Sequence, residues 1–291
     1  MENGNGNLKL AIQKKGRLSE KSIELLKLCG LDLDMYTERL IVTARNFNLD
    51  LLFLRDDDIP EYVQDGVADI GIVGEDVICE KQADINVVEK LGFGRCRLMI
   101  AAPADKLPVT LADINGKTIA TSYPNILKNY LKENNLNAKV IEISGSVEIA
   151  PSLGVADLIC DIVSTGTTLM MNKLKKSFSV FESESVLIAT KSLANDTVKT
   201  ELLNQLIGRI RSVMSAKKSK YLMMNIPKDS LERITAIIPS LKSPTVLHLA
   251  DEKSLAVHAV IPADQVWTIM SDLKAAGASG ILLLPIENMI I

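Results

Sequence analysis

The chain has 291 residues, 47% of them hydrophobic and 24% charged, with a formal net charge of -3. That composition describes a soluble globular protein long enough for two or three domains, and its mild acidity gives no reason to expect a nucleic-acid partner. No stretch approaches the ~18 consecutive apolar residues of a membrane span, so no membrane partner is expected.

The opening "MENGNGNLKL" lacks a basic segment followed by an apolar one, and no secretory signal is read there. Four cysteines (Cys29, Cys79, Cys96, Cys160) are scattered without a C-x-x-C pair. Reduced thiols in a cytoplasm are expected rather than a disulfide framework or zinc site. His248 and His258 match no metal-ligand spacing and read as strand residues.

"LKLAIQ" (8–13) reads as a buried strand and 17–30 as an amphipathic helix closed by Gly30. "LDLLFLR" (49–55) is a strand, 56–66 a helix with an acidic start, and 67–74 a strand. The alternation predicts an α/β fold with a largely parallel sheet. A second α/β unit begins near Lys117, with "KTIATS" a strand, "PNILKNYLKENN" a helix and "AKVIEI" a strand. A short helix follows around "SVEIAPSLG", then the strand "ADLICDIV" and a helix beginning at "TTLMMNKLKK". The chain then returns through "FSVFESESVLIAT" to a long helix over 196–221. The second unit is therefore expected as an insertion in the first, with a cleft between them. The last seventy residues read β-α-β-β-α-β, the ferredoxin-like plan, without a catalytic cluster.

The sharpest local signal is "DIVSTGTTL" (161–169). Ser164, Thr165, Gly166, Thr167 and Thr168 follow a buried strand and precede a helix. Strand ends of open α/β sheets are where ligands bind, and a helix start offers free N–H groups and a positive dipole end. The loop suits a phosphate monoester, and it lacks the lysine and spacing of a nucleoside-triphosphate P-loop. Asp161 would repel phosphate but can accept hydrogen bonds from ribose hydroxyls or from the water shell of magnesium. The competing reading is an ordinary strand–helix junction capped by Ser or Thr.

"QKKGRLS" places Lys14, Lys15, Gly16 and Arg17 at another strand end, and Arg39 and Arg55 add charge for a polyphosphate. A solvated basic edge is the alternative. Glu142, Gly145 and Ser146 occupy a third strand end. "DIGIVG", with Asp69, Gly71 and Gly74, is not G-x-G-x-x-G and reads as a tight strand exit against the cleft. Several phosphate-friendly strand ends without a P-loop suggest two phosphorylated substrates meeting in an interdomain cleft. A solute-binding sensor would also have a two-lobed cleft, but would not need those phosphate-directed loops.

The blocks "QKKGRLSEKSIELL", "RDDDIPEYVQDGVADIGIVGED", "FGRCRLMIA", "KTIATSYPNILKNYL", "ADLICDIVSTGTTL", "SPTVLHLA" and "GASGILLLPIE" occur in one order along the chain. In these the sequence resembles the ATP phosphoribosyltransferases of the long, single-enzyme form. The resemblance implies two periplasmic-binding-protein-like catalytic domains and a C-terminal regulatory domain of ferredoxin-like (ACT-like) form. The expected boundaries are 1–103 with 184–218, then 104–183, then 219–291. It implies transfer of a phosphoribosyl group from phosphoribosyl pyrophosphate to N1 of ATP, dependent on Mg2+ and inhibited by histidine, in homo-oligomers that shift between dimer and hexamer.

By the same resemblance, Asp161, Ser164, Thr165, Gly166, Thr167, Thr168 and Glu142 hold phosphoribosyl pyrophosphate. Lys14, Gly16, Arg17, Asp69, Gly71, Gly145 and Ser146 bind ATP. Arg17, Arg39, Arg55 and Asp161 serve the chemistry, Arg39 and Arg55 across a dimer, and Asp161 serves the metal indirectly. Leu241, Ser243, Thr245, Ala278 and Ser279 form the histidine site.

Overall fold

The computed structural model describes residues 6–34, 39–108, 110–163 and 167–290. The chain divides into two compact units, Met1–Glu24 with Leu31–Leu203, and Leu25–Gly30 with Asn204–Ile291.

The elements run β1 (Leu8–Gln13), α1 (Arg17–Leu28), β2 (Ile41–Thr43), β3 (Leu49–Leu54), α2 (Ile59–Gln64), β4 (Ile70–Gly74), α3 (Glu75–Lys81), β5 (Asn86–Lys90) and β6 (Cys96–Pro103). There follow β7 (Thr118–Thr121), α4 (Pro124–Glu133), β8 (Lys139–Glu142), β9 (Leu158–Val163), α5 (Thr167–Met171), β10 (Leu174–Ser183), β11 (Ser185–Ala189) and α6 (Thr197–Lys217). The tail is β12 (Ser219–Pro227), α7 (Leu231–Ile237), β13 (Thr245–His248), β14 (Ser254–Pro262), α8 (Val266–Ala275) and β15 (Ser279–Pro285).

The first unit holds two sheets. One has the order β2-β3-β1-β4-β11-β5 and the other β10-β6-β9-β7-β8. In the first, β1 is parallel to both β3 and β4. Leu8, Leu10, Ala11 and Ile12 of β1 are fully buried, as the near-continuous apolar run of a doubly covered parallel strand requires. Its core joins Ile59 and Val63 of α2 to Val73 and Ile188. In the second sheet β7 is parallel to β8 and β9. Its core packs Ile126, Leu127 and Leu131 of α4 against Leu98, Ile100, Ile119 and Leu158. Pro124 occupies the first turn of α4, where its missing N–H costs nothing.

The chain crosses between the sheets twice, from β5 to β6 and from β10 to β11. That is the expected insertion, with two lobes. The strand Cys96–Pro103 pairs with β9 and β10, so the second lobe takes one strand more than the boundary at 103/104 allows it. The helix begun at Thr167 is also shorter than its sequence suggests. It ends at Met171, and Lys173 at φ 58° turns the chain into β10.

The second unit carries the sheet β13-β14-β12-β15. Every pairing in it is antiparallel, as the β-α-β-β-α-β reading requires. Leu222, Met224, Ile226, Val257 and Ile261 pack on Ile234, Val266 and Leu273 of the two helices. The alternating residues turn the other way. Leu247, Leu282 and Leu284 on that face are 50%, 49% and 42% exposed, leaving it open and apolar. His258 lies on it, its Nδ1 2.9 Å from the Tyr221 hydroxyl. His248 is on β13, so both histidines are strand residues.

Candidate active site

Parallel pairing brings the C-terminal ends of β1, β3 and β4 to one edge of the first sheet. The Lys14 N–H donates to the Leu54 carbonyl at 2.8 Å, which sets the basic turn Lys14–Arg17 beside Arg55. Gly16 makes the turn at φ 105°, a region a side chain would disfavour, and its carbonyl accepts the Glu20 N–H at 3.1 Å. Lys14, Gly16, Arg17, Arg39 and Arg55 are all exposed.

In the second lobe Thr121, Glu142 and Val163 end strands of one parallel set. The Ser122 hydroxyl donates to the Ile143 carbonyl at 2.7 Å, tying the first two ends together. Gly145 and Ser146 continue from β8 in the left-handed region. A cleft of about 620 Å³ opens between the lobes, lined by Asp57, Glu80 and Lys81 from one and by Tyr123, Glu142 and Gly145 from the other.

Carboxylates gather in the same neighbourhood. The Tyr123 hydroxyl is pushed far above its ordinary range by burial, reinforced by the negative fields of Asp76, Asp161 and Asp56. Burial raises Asp56 to about 6, and Asp76 and Asp57 push the same way. Its Oδ1 is buried without a hydrogen-bond partner. Burial also raises Asp161, against the Ile162 N–H that its Oδ1 accepts at 2.7 Å and with the help of Glu148. Asp76 is buried and bonded to Ser183, whose hydroxyl donates to its Oδ1 at 2.6 Å. The basic turn Lys14–Arg17 thus lies beside the strand end that carries Arg55 and Asp56. Carboxylates repel phosphate but favour hydroxyl and amine donors and any positive charge that develops beside them.

The residues expected from sequence divide into several sets. Lys14, Gly16, Arg17 and Arg55 come together at one sheet edge, and Glu142, Gly145 and Ser146 at another. Ser164, Thr165 and Gly166 lie outside the described residues, as do the side chains of Thr167 and Thr168, although their backbone opens α5 as expected.

Asp69 and Gly71 are corrected. Asp69 precedes β4 and so lies at the opposite end of the strand from the cleft edge. It is buried, accepts the Lys9 N–H at 2.8 Å and pairs with Lys199 Nζ at 2.9 Å. Its charge is consumed by the fold. Gly71 is in mid-strand, where a Cβ would lie 2.8 Å from Ile59 Cγ2, so packing rather than ligand approach demands glycine.

Asp56, Asp76 and Tyr123 carry no role in the sequence reading. The available signal was positional, since each stands two residues beyond a strand end: β3, β4 and β7.

Thr245 opens β13, and Ser279 opens β15, its hydroxyl 3.3 Å from the Asn225 carbonyl. Leu241 is exposed and its N–H donates to the Val260 carbonyl at 3.0 Å, while Ala278 is buried in the core. Because β13 and β15 are opposite edge strands with two strands between them, Thr245 and Ser279 are separated by about 14 Å across the sheet, three strand spacings, and further by their offset along it, since Thr245 is level with Leu282.

Among the described residues no group of three His, Cys, Asp or Glu side chains is placed to hold a metal.

A protein family described as "ATP phosphoribosyltransferase" matches residues 55–212, and one described as "HisG, C-terminal domain" matches residues 216–288. The chain is 51% identical to an ATP phosphoribosyltransferase of Cytophaga hutchinsonii over 97% of its own length and 98% of that protein's. It is 47% identical to one from Bacteroides thetaiotaomicron over 98% and 100% of the two lengths. Among solved structures, an ATP phosphoribosyl transferase (HisG:HisZ) complex from Thermotoga maritima superposes with a TM-score of 0.59 at 30% identity. The match covers 70% of this chain and 98% of that one.

Proposed function

Because the chain belongs to the ATP phosphoribosyltransferase family, the enzymes of the first step of histidine biosynthesis, we propose that it transfers the 5-phosphoribosyl group of phosphoribosyl pyrophosphate to N1 of ATP, releasing pyrophosphate with inversion at the anomeric carbon. The observation that carries the reading is the meeting of strand ends in the first unit, where the basic turn Lys14–Arg17 is held beside Arg55 and a cleft between the lobes is lined by Asp57, Glu80, Tyr123, Glu142 and Gly145. The run Ser164–Thr168 after β9 takes the ribose phosphate, helped by Glu142. Lys14, Gly16 and Arg17, with Gly145 and Ser146, take ATP. Arg39 and Arg55 neutralise the phosphates across a dimer.

Two anionic substrates are thereby held by their phosphates, while their reacting atoms meet over the carboxylates. The anomeric carbon gains oxocarbenium character as pyrophosphate departs, and adenine gains positive charge as N1 attacks the opposite face. Both developing charges are stabilised by preorganised carboxylates, so positioning and electrostatics carry the reaction without a covalent intermediate. Magnesium usually keeps several waters and takes one or two carboxylates beside substrate phosphates, and the partly buried Asp161 fits that demand. When bound, the ion supplies neutralisation of the diphosphate.

Thr165→Val and Gly166→Val test the phosphate assignment. Both should fold and lose affinity for phosphoribosyl pyrophosphate in calorimetry, and wild-type affinity in both would remove it. Asp161→Asn should give product of inverted configuration, slowly. A trapped ribosyl adduct on Asp161 of the wild type would contradict the mechanism.

Residues 219–291 are proposed as the regulatory domain, with Leu241, Ser243, Thr245, Ala278 and Ser279 as histidine contacts. Thr245 and Ser279 stand on opposite sheet edges, so a site using both needs two chains. The open face with Leu247, Leu282 and Leu284 offers apolar area for the dimer and hexamer. No helix among the described residues is long and apolar enough to cross a membrane, and we place the enzyme in the cytoplasm. Thr245→Trp should abolish histidine inhibition of initial rates and alter the mass seen by light scattering. Unchanged inhibition would move the effector site elsewhere.

A further inference from the structure

Two helices at the junction of the lobes lack the side-chain cap that their own N-cap residue would normally supply. The N-cap of α3 is Gly74, which has no side chain to offer. The N-cap of α4 is Tyr123, which makes no side-chain cap bond. In both cases the cap arrives from the opposite lobe.

Ser183, the last residue of β10 in the second sheet, accepts the Asp76 N–H of α3 at 3.1 Å and donates to Asp76 Oδ1 at 2.6 Å. Glu80 of α3 returns the contact to α4. The Asn125 N–H donates to Glu80 Oε1 at 3.0 Å and Oε2 at 3.1 Å, and the Ile126 N–H donates to Oε2 at 3.0 Å. The Asn125 side-chain amide donates to the Glu80 carbonyl at 2.8 Å. Asp76 and Glu80 are four residues apart and so share one face of α3. That face is committed to the second lobe at both ends.

We propose that Glu80 is a positioning residue for phosphoribosyl transfer: it holds the start of α4, Tyr123–Ile126, in the second lobe at a fixed approach to the first. The inference rests on reading the cleft as the transfer site.

A carboxylate suits this place for two reasons. Its two oxygens accept both first-turn N–H groups at once, and its charge meets the positive end of α4. The segment it holds is the one that carries Tyr123 among Asp56, Asp76 and Asp161. The proposed phosphate sites follow β1 of one lobe and β9 of the other along the chain. The lobes' approach therefore sets the distance between N1 and the anomeric carbon. Without the Glu80 carboxylate, water can satisfy the N–H groups of α4, and of the inter-lobe bonds described here only the Asn125 amide on the residue-80 carbonyl and the Asp76–Ser183 pair remain.

The test uses the full chain with Glu80→Ala and Glu80→Gln. Alanine should lower kcat by about 10- to 100-fold, the scale of a displacement near 1 Å between reactants. The calorimetric affinity for phosphoribosyl pyrophosphate should stay at the wild-type value, because the phosphate loop is untouched. Glutamine keeps one acceptor oxygen and loses the charge, so its kcat should lie between alanine and wild type. Amide hydrogen exchange supplies a readout independent of turnover. The Asn125 and Ile126 amides should be protected in the wild type and exchange faster in Glu80→Ala, while that of Leu131, further along α4, is unchanged. Wild-type kcat in the alanine variant would overturn the proposal, as would free exchange of those two amides in the wild type. Should alanine prevent folding, the glutamine variant decides, and wild-type kcat there overturns it. Failure of the wild type to release pyrophosphate from the two substrates would instead sink the cleft reading and leave the exchange result standing.

Discussion

The first unit buries Asp50, Asp69 and Asp76, whereas the only polar side chain buried in the second, among the described residues, is Ser212. A buried carboxylate is costly unless it is bonded, and each of these is. Asp50 accepts from the Asn7 amide and the Thr43 hydroxyl, Asp69 from Lys9 and Lys199, and Asp76 from Ser183. The second unit is built on an apolar core and leaves apolar residues on its open sheet face. One region ties its buried carboxylates into hydrogen bonds of the fold, and the other leaves an apolar surface open. A substitution in the first should therefore act on chemistry or on charge-dependent stability, and one in the second on assembly.

The largest effect should come from Arg17→Ala. Loss of one preorganised donor should lower kcat/KM by about 10²- to 10³-fold in steady-state assays with both substrates, with the denaturation midpoint unchanged. Lys199→Ala should leave Asp69 buried without its cation. We expect a loss of about 3 kcal/mol in denaturant unfolding with kcat retained at low temperature, which would separate the structural Asp69 from the ligand-facing acids.

Asp56→Asn is smaller and depends on pH. The folded chain holds the Asp56 proton up to about 6, whereas the unfolded chain releases it near the ordinary 3.8. The native state therefore binds more protons in that window, and the contribution of Asp56 to stability declines as pH rises from 4 to 6. Asparagine should remove that decline and raise stability at pH 7 by about 1–2 kcal/mol, measured as unfolding midpoints across pH.

The smallest effect on chemistry should follow Leu282→Glu with Leu284→Glu. Light scattering should show smaller assemblies, while the rate per chain without histidine falls far less than in Arg17→Ala. Should it fall equally, the division of labour between the units is wrong.

The lobed plan was legible because buried parallel strands are short apolar runs and each strand end is marked by a change to Lys, Asp, Gly or Ser. The basic turn at Lys14–Arg17 was legible for that reason. The strand at Cys96–Pro103 was harder to assign to a lobe, since which sheet it joins is decided by pairing with β9 and β10, both later in the chain. Asp69 misled because a carboxylate beside "GIVG" looks the same at either end of a strand, and its partner Lys199 is 130 residues away. Glu80 is hidden for the same reason, with its partners 45 and 46 residues on. Local pattern reports which residues are polar. It does not report which distant group meets them.

The separation of Thr245 and Ser279 on opposite edges of one sheet has a consequence for dilution. A small molecule that must touch both is bound by a pair of chains, and its occupancy follows the concentration of pairs rather than of chains. Inhibitor affinity is then not a constant of the polypeptide. It strengthens as the protein is concentrated, and the inhibitor in turn draws chains together by the same free energy. For the histidine site proposed above, the abundance of the chain in a cell would itself set how little histidine is needed to inhibit it.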